Sequence, residues 1–190
     1  MKTKPTHHLA GILETVAAIS LAVLLPTSLY ATDRYWDGDT DTTFSTPANW
    51  VGGVAPINQG SGGDVAYFTG GSYINQPTFN ADTNLNGFVF GDGTNASAPV
   101  TMNGTGFFVL LNDGGIVMNP NAGAVTVNGF NFLRITANQT WTNNSSSAFT
   151  NNGNIISGQP PFTPTLTLTG TGVFNPGTLN QTTGTVNYAV

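Results

Sequence analysis

A rhythm of short β-type groups constrains this sequence more than any other feature. From Tyr35 onward, clusters of β-branched and aromatic residues recur: VAYF (65–68), GFVF (87–90), PVTM (99–102), GFFVLL (106–111), GIVM (115–118), AVTV (124–127), FLRIT (132–136), TLTLTG (165–170) and TVNYAV (185–190). No window longer than a turn places apolar residues at i, i+3, i+4 and i+7, the pattern of an amphipathic helix. The groups are about five residues long and restart every 8 to 12 or so residues, the spacing of an all-β sandwich, barrel or solenoid. Asp92-Gly93, Asn103-Gly104, Asp113-Gly114-Gly115, Asn128-Gly129 and Asn152-Gly153 lie between them. Gly and Asn tolerate positive φ, so these pairs supply corners.

Charge decides among the three architectures. Residues 32–190 carry eight Asp against two Arg, Arg34 and Arg134, and hold no Lys, His, Glu or Cys. A sandwich normally shows charged side chains on its outer faces. In a solenoid, like charges stacked in register would repel, whereas Asn, Thr and Ser stack into hydrogen-bonded ladders. The expected fold is therefore all-β: a right-handed parallel β-helix (solenoid) spanning 32–190, with an amino-terminal cap over about residues 33–60. With only two cations there is no basic patch to neutralise phosphates, which argues against nucleic acid and anionic membrane surfaces as partners. Packing and hydrogen bonds, not disulfides, must hold the chain together.

Residues 1–31 read differently. Lys2 and Lys4 precede an apolar run from Thr15 to Leu25, which Pro26 ends before the small residue Ala31. That order of charge, apolar core and small residue is a secretory signal peptide, expected as a helix ahead of the solenoid. The run is shorter than the roughly 20 residues a bilayer-spanning helix needs. The expected location is outside the cell.

The stretch QTWTNNSSSAFTNNGNIISG (139–158) is the sharpest test of the solenoid reading. On that reading it is part of a stack and not a linker. Trp141, Phe149, Ile155 and Ile156 point inward, and Asn143, Asn144, Ser145 to Ser147, Asn151, Asn152 and Asn154 form corners.

QTWTNNSSSAFTNNGNI followed by LTLTGTGVF resembles the autotransporter-associated β-strand repeat of large bacterial surface and secreted proteins. The opening segment is similar to the amino-terminal part of the same proteins: Tyr35, Trp36 and Asp37, then Asn49 and Trp50, Pro56, and the strand Val65 to Phe68. The resemblance covers nearly all of residues 32–190. It implies a passenger-like parallel β-helix at the cell surface or outer membrane, structural or adhesive in role, and it brings no catalytic residues. The family's membrane barrel and sorting helix are not found, and TGTVNYAV ends in mid-strand without the polar cap a solenoid needs. The chain therefore reads as the front of a longer protein or a shortened copy of one.

Candidate chemistry is sparse. Asp37, Asp39 and Asp41 alternate as in the first half of a calcium loop, but Thr42 and Ala48 stand where that loop needs Gly and Glu. Without His, Glu, Lys or Cys, no Ser or Thr has a base to activate it. Asp64, Asp82, Asp92 and Asp113 sit singly beside turn residues, against the paired carboxylates of a glycosidase. Trp36 and Trp50 are the leading candidates to stack on sugars, with Trp141, Tyr35, Tyr67 and Tyr73 behind them. The expectation is a non-catalytic exported structural or adhesive protein without a cofactor. Its alternative is a secreted carbohydrate-binding or polysaccharide-cleaving β-helix module, with extracellular polysaccharide as partner.

Overall fold

The computed structural model describes residues 31–57, 63–129, 131–157, 163–180 and 185–188. The expected signal peptide and its helix, apart from Ala31, lie outside them. Burial alternates residue by residue along the strands, as in Val65–Phe68 and Thr165–Thr169, so each strand has one inward and one outward face. Coiling buries the inward set, and the result is a parallel β-solenoid of about four turns.

Among the described residues, three faces repeat around the coil, and every strand-to-strand pairing is parallel. The first is made by the start of β4 (Thr83–Phe90), the start of β6 (Phe108–Met118), β8 (Phe132–Ile135), β11 (Asn154–Ser157) and β14 (Thr178–Asn180). The second runs from β1 (Asp33–Tyr35) through β2 (Val65–Phe68) and the ends of β4 and β6. It continues in β9 (Gln139–Asn143), β12 (Thr165–Thr169) and β15 (Thr185–Tyr188). The third stacks β3 (Thr78–Phe79), β5 (Val100–Gly104), β7 (Val125–Asn128), β10 (Phe149–Asn151) and β13 (Phe174–Asn175).

Register sets the core. Ala66, Phe88, Ile116, Trp141 and Leu168 occupy one buried column of the second face. Val100, Val125 and Phe149 occupy another on the third. The indole N–H of Trp141 has no solvent to turn to, and Gln139 Oε1 accepts it at 2.8 Å while Gln139 Nε2 donates to the carbonyl of Leu111 at 2.9 Å.

Corner amides join successive coils. Asn112 donates to Asn84 at 2.9 Å, and Asn152 donates to Asn128 at 2.8 Å. Not every expected corner is exposed, however. Asn143, Ser145 and Asn151 are buried. Ser145 Oγ donates to the carbonyl of Ala122 at 2.6 Å and accepts from the Ser147 amide at 3.0 Å. Asn143 Nδ2 donates to the carbonyls of Ser147 and Val173, both at 3.0 Å. A corner that turns inward leaves backbone groups without water, and these short side chains replace it.

One expected break is absent. Asp113-Gly114-Gly115 does not separate two strands; it bends a single strand, Phe108–Met118, from the first face to the second. The pairing with β4 slips between Leu85 and Gly87 at the same bend. Gly115 has φ +58°, and a Cβ there would run into the carbonyl of Thr140 on the next coil. Only glycine lets the coils approach at this point.

Residues 33–57 cover the first end of the core, with a single 3-10 turn (Pro47–Asn49) as the one helical element among the described residues. Trp36, Phe44 and Trp50 close the core with Phe68 and Phe79. Buried Asn49 ties the loop above them. Its Oδ1 accepts from the amides of Thr40 and Asp41, and its Nδ2 donates to Asp41 Oδ1 and the carbonyl of Thr43. Asp64, also buried, accepts from the amides of Thr32 and Ile57 and pairs with Arg34 Nε at 3.0 Å.

Candidate functional site

The aromatic candidates separate by burial. Trp36 and Trp50 are 3% and 1% exposed, packed edge to face with ring centroids 5.2 Å apart. Their indole nitrogens donate to the carbonyls of Asn75 (3.2 Å) and Phe44 (2.7 Å). Neither ring offers a face to a sugar, which corrects the sequence-based expectation. The Trp pattern of the opening segment closes the cap instead. Trp141 is likewise enclosed.

Tyr35 and Tyr67 do stand outward, one rung apart on the second face, with their rings 4.8 Å apart at 30°, so that each shields one face of the other while Tyr35 stays 39% exposed. Burial and the Asp33 carboxylate push the Tyr67 hydroxyl above its usual range. Tyr73 is half-buried and its hydroxyl accepts from the Gly70 amide at 2.7 Å; burial pushes its pKa up to about 12.

The carboxylates of WDGDTDT do not converge. Asp41 Oδ1 accepts from the Thr43 amide at 2.6 Å and from Asn49 Nδ2 at 2.7 Å, and its Oδ2 from Thr46 Oγ1 at 3.3 Å. These donors, the Thr43 amide foremost, hold its carboxyl below the ordinary range. Asp37 accepts from the Asp39 amide at 3.4 Å. Asp41 is thus a turn staple, and no group of three or more His, Cys, Asp or Glu side chains comes together among the described residues. Asp92 is a second staple: Thr94 and Asn95 surround it with backbone and side-chain donors, and the Asn95 amide group is the main reason its carboxyl is held well below the usual range. Asp82 accepts from the Phe108 amide at 2.9 Å.

Asp113 differs from these carboxylates. Placed by the bend of β6, it stands exposed at the edge of an open cleft of about 600 Å³ on the outer side of the second face. Asn138, Thr140, Thr142, Thr165 and Thr167 line the same cleft. A smaller cleft of about 380 Å³ on the first face holds Asp82, Phe108 and Arg134, whose guanidinium carbon lies 5.2 Å from the Phe108 ring centroid. From sequence, Asp113 reads as a turn residue. The Thr-x-Thr spacing at 140–142 and 165–169 is the only other signal of the cleft, and the coil register that joins the two is not written locally.

Chemically, the larger cleft accepts and donates hydrogen bonds without a cation, an aromatic platform or a second carboxylate. Comparison with protein-family models, curated proteins and solved structures returns no match to this chain. Fold and site alone therefore define its class: a parallel β-solenoid with a hydroxyl- and amide-rich outer surface that carries few charges, most of them Asp.

Proposed function

We propose that this chain is an exported, non-catalytic structural or adhesive module of a bacterial cell surface, of the autotransporter-passenger type that its Trp pattern and Asn/Thr-rich rungs resemble. The observation that carries the reading is the state of its polar groups. Many of them are spent on rung-to-rung ladders and turn staples, such as Asn84–Asn112, Asn128–Asn152, Asp41 and Asp92. Residues 32–190 also hold no His, Glu, Lys or Cys to carry a proton near neutrality. Such a body is suited to present length and surface rather than to turn over substrate. The apolar run Thr15–Leu25 supports export.

Expression of the full chain in a bacterium, followed by fractionation and amino-terminal sequencing, tests the reading. The expected product lies outside the cytoplasm and starts near Thr32. An intact amino terminus in the cytoplasm overturns export, and release of reducing ends from polysaccharide overturns the non-catalytic part. The carbohydrate-binding alternative keeps one specific support, the Asp113 cleft, in a binding form only. Glycosidic cleavage needs two carboxyl groups about 5–9.5 Å apart, and Asp113 is the single carboxylate of that cleft.

A further inference from the structure

We propose that the cleft on the second face is a binding site for a neutral polyhydroxylated chain, that is, an uncharged polysaccharide. The inference deepens the adhesive reading above and rests on it only for access to such a polymer.

The cleft is where unspent polar groups converge. Asp113 and the hydroxyls of Thr140, Thr165 and Thr167 have no hydrogen-bond partner within the described chain. Asn138 uses only its Oδ1, which accepts from the Thr165 amide at 2.8 Å, and leaves its two Nδ2 protons free. Asp41, Asp64 and Asp92, by contrast, are each saturated by three or more donors.

The convergence follows from register. β9 and β12 are neighbours, with Thr140 beside Thr167 and Thr142 beside Thr169. Outward threonines therefore form a grid, about 4.8 Å between strands and about 6.6 Å along each strand. The Thr142 and Thr169 hydroxyls bond each other at 3.0 Å and fix one side of the grid. The other side, Thr140, Thr165 and Thr167, stays open beside Asp113.

The chemistry of the lining selects the ligand class. Each hydroxyl both donates and accepts, the Asn138 amide donates, and the carboxylate accepts two hydroxyl protons in strong charge-assisted bonds. Sugar hydroxyls present both roles at close spacing. An anionic polymer meets Asp113 and no cation, in a chain whose residues 32–190 are already strongly acidic. A metal ion would find one carboxylate. No aromatic ring lines the cleft, so hydrogen bonds carry recognition and each contact is individually modest.

Affinity electrophoresis of the full chain tests the proposal, with native gels cast with a neutral β-glucan, xylan, mannan or dextran, and with acidic polygalacturonate. At least one neutral polymer is expected to retard the protein. Asp113→Ala should weaken that retardation about tenfold, the loss expected for one charge-assisted hydrogen bond, and separately the pair Thr140→Val with Thr167→Val should weaken it several-fold through the loss of neutral hydrogen bonds. Thr126→Val on the third face should leave it unchanged, and all variants should melt with the parent. Lack of retardation by every neutral polymer overturns the proposal, as does equal retardation of parent and cleft variants or stronger retention by polygalacturonate. Reducing ends appearing during the same incubations would sink the non-catalytic reading and leave the cleft intact, so the two failures are distinguishable.

Discussion

Trp141 and Gln139 lie two residues apart on one strand, both turned into the core, and the indole N–H of one donates to the side-chain carbonyl of the other at 2.8 Å. The large ring fills the coil between Ile116 and Leu168, and the glutamine makes its polar edge tolerable there. Trp141→Ala should cost about 3–5 kcal/mol, the usual loss on emptying a large aromatic from a core. Trp141→Phe keeps most of the volume but orphans Gln139 Oε1, and should cost about 1–3 kcal/mol. Urea melts measure both; a Trp141→Phe variant as stable as the parent would show the hydrogen bond to be dispensable.

The three serines of the 145–147 corner should behave unequally. Ser145 is buried and satisfies both the Ala122 carbonyl and the Ser147 amide, whereas Ser146 is exposed. Ser145→Ala should cost about 1–3 kcal/mol through those orphaned groups, and Ser146→Ala should stay within about 0.5 kcal/mol of the parent. Paired melts of the two variants decide it.

Two positive-φ glycines separate backbone strain from close approach. At Gly52 (φ +82°) an added methyl group would meet nothing within 4 Å, whereas at Gly115 the Thr140 carbonyl blocks it. Gly52→Ala should carry only the left-handed strain, about 1 kcal/mol. Gly115→Ala adds the collision and should cost clearly more, enough to lower yield or melting temperature. Equal losses would mean that the coils can move apart at the bend.

Stability should fall at both ends of the pH scale for different reasons. The Asp41 and Asp92 carboxyls are held below their ordinary value of 3.8 by turn donors. Their contribution is therefore present above the unfolded value and lost as pH falls below about 4. Tyr73 is raised from 10.0 to about 12 by burial. The unfolded chain ionises it first, so stability declines from about pH 10 toward pH 12. Thermal melts across pH 2–12 check both limbs, and Tyr73→Phe should blunt the alkaline one.

The β character and the parallel stacking are legible in the sequence because they depend on local pattern: short groups, Gly/Asn corners and too little charge for a sandwich surface. Trp141, Phe149 and Ile155 are buried as alternation requires, and Ile156, the next residue of the same strand, is buried as well. Trp36 and Trp50 mislead because a buried and an exposed aromatic look alike in a single sequence. The difference lies in long-range partners, such as the carbonyl of Asn75, 39 residues from Trp36. Ser145 and Asn143 mislead because an Asn/Ser-rich run looks solvated until the neighbouring coil closes over it. The cleft is hardest to foresee, since Asn138 meets the Thr165 amide across 27 residues.

The strand Phe108–Met118 also gives the stack a mechanical character. It is paired on both sides along two faces, with β4 below and with β8 and β9 above. A tear travelling down most of the stack can peel one short strand and pause before the next. At this coil, as at that of β4 beneath it, one continuous strand carries both faces, so the tear has to break both sets of bonds together or stop. The bend that Gly115 permits is in this sense a rip-stop seam, sewn across the middle of the fabric.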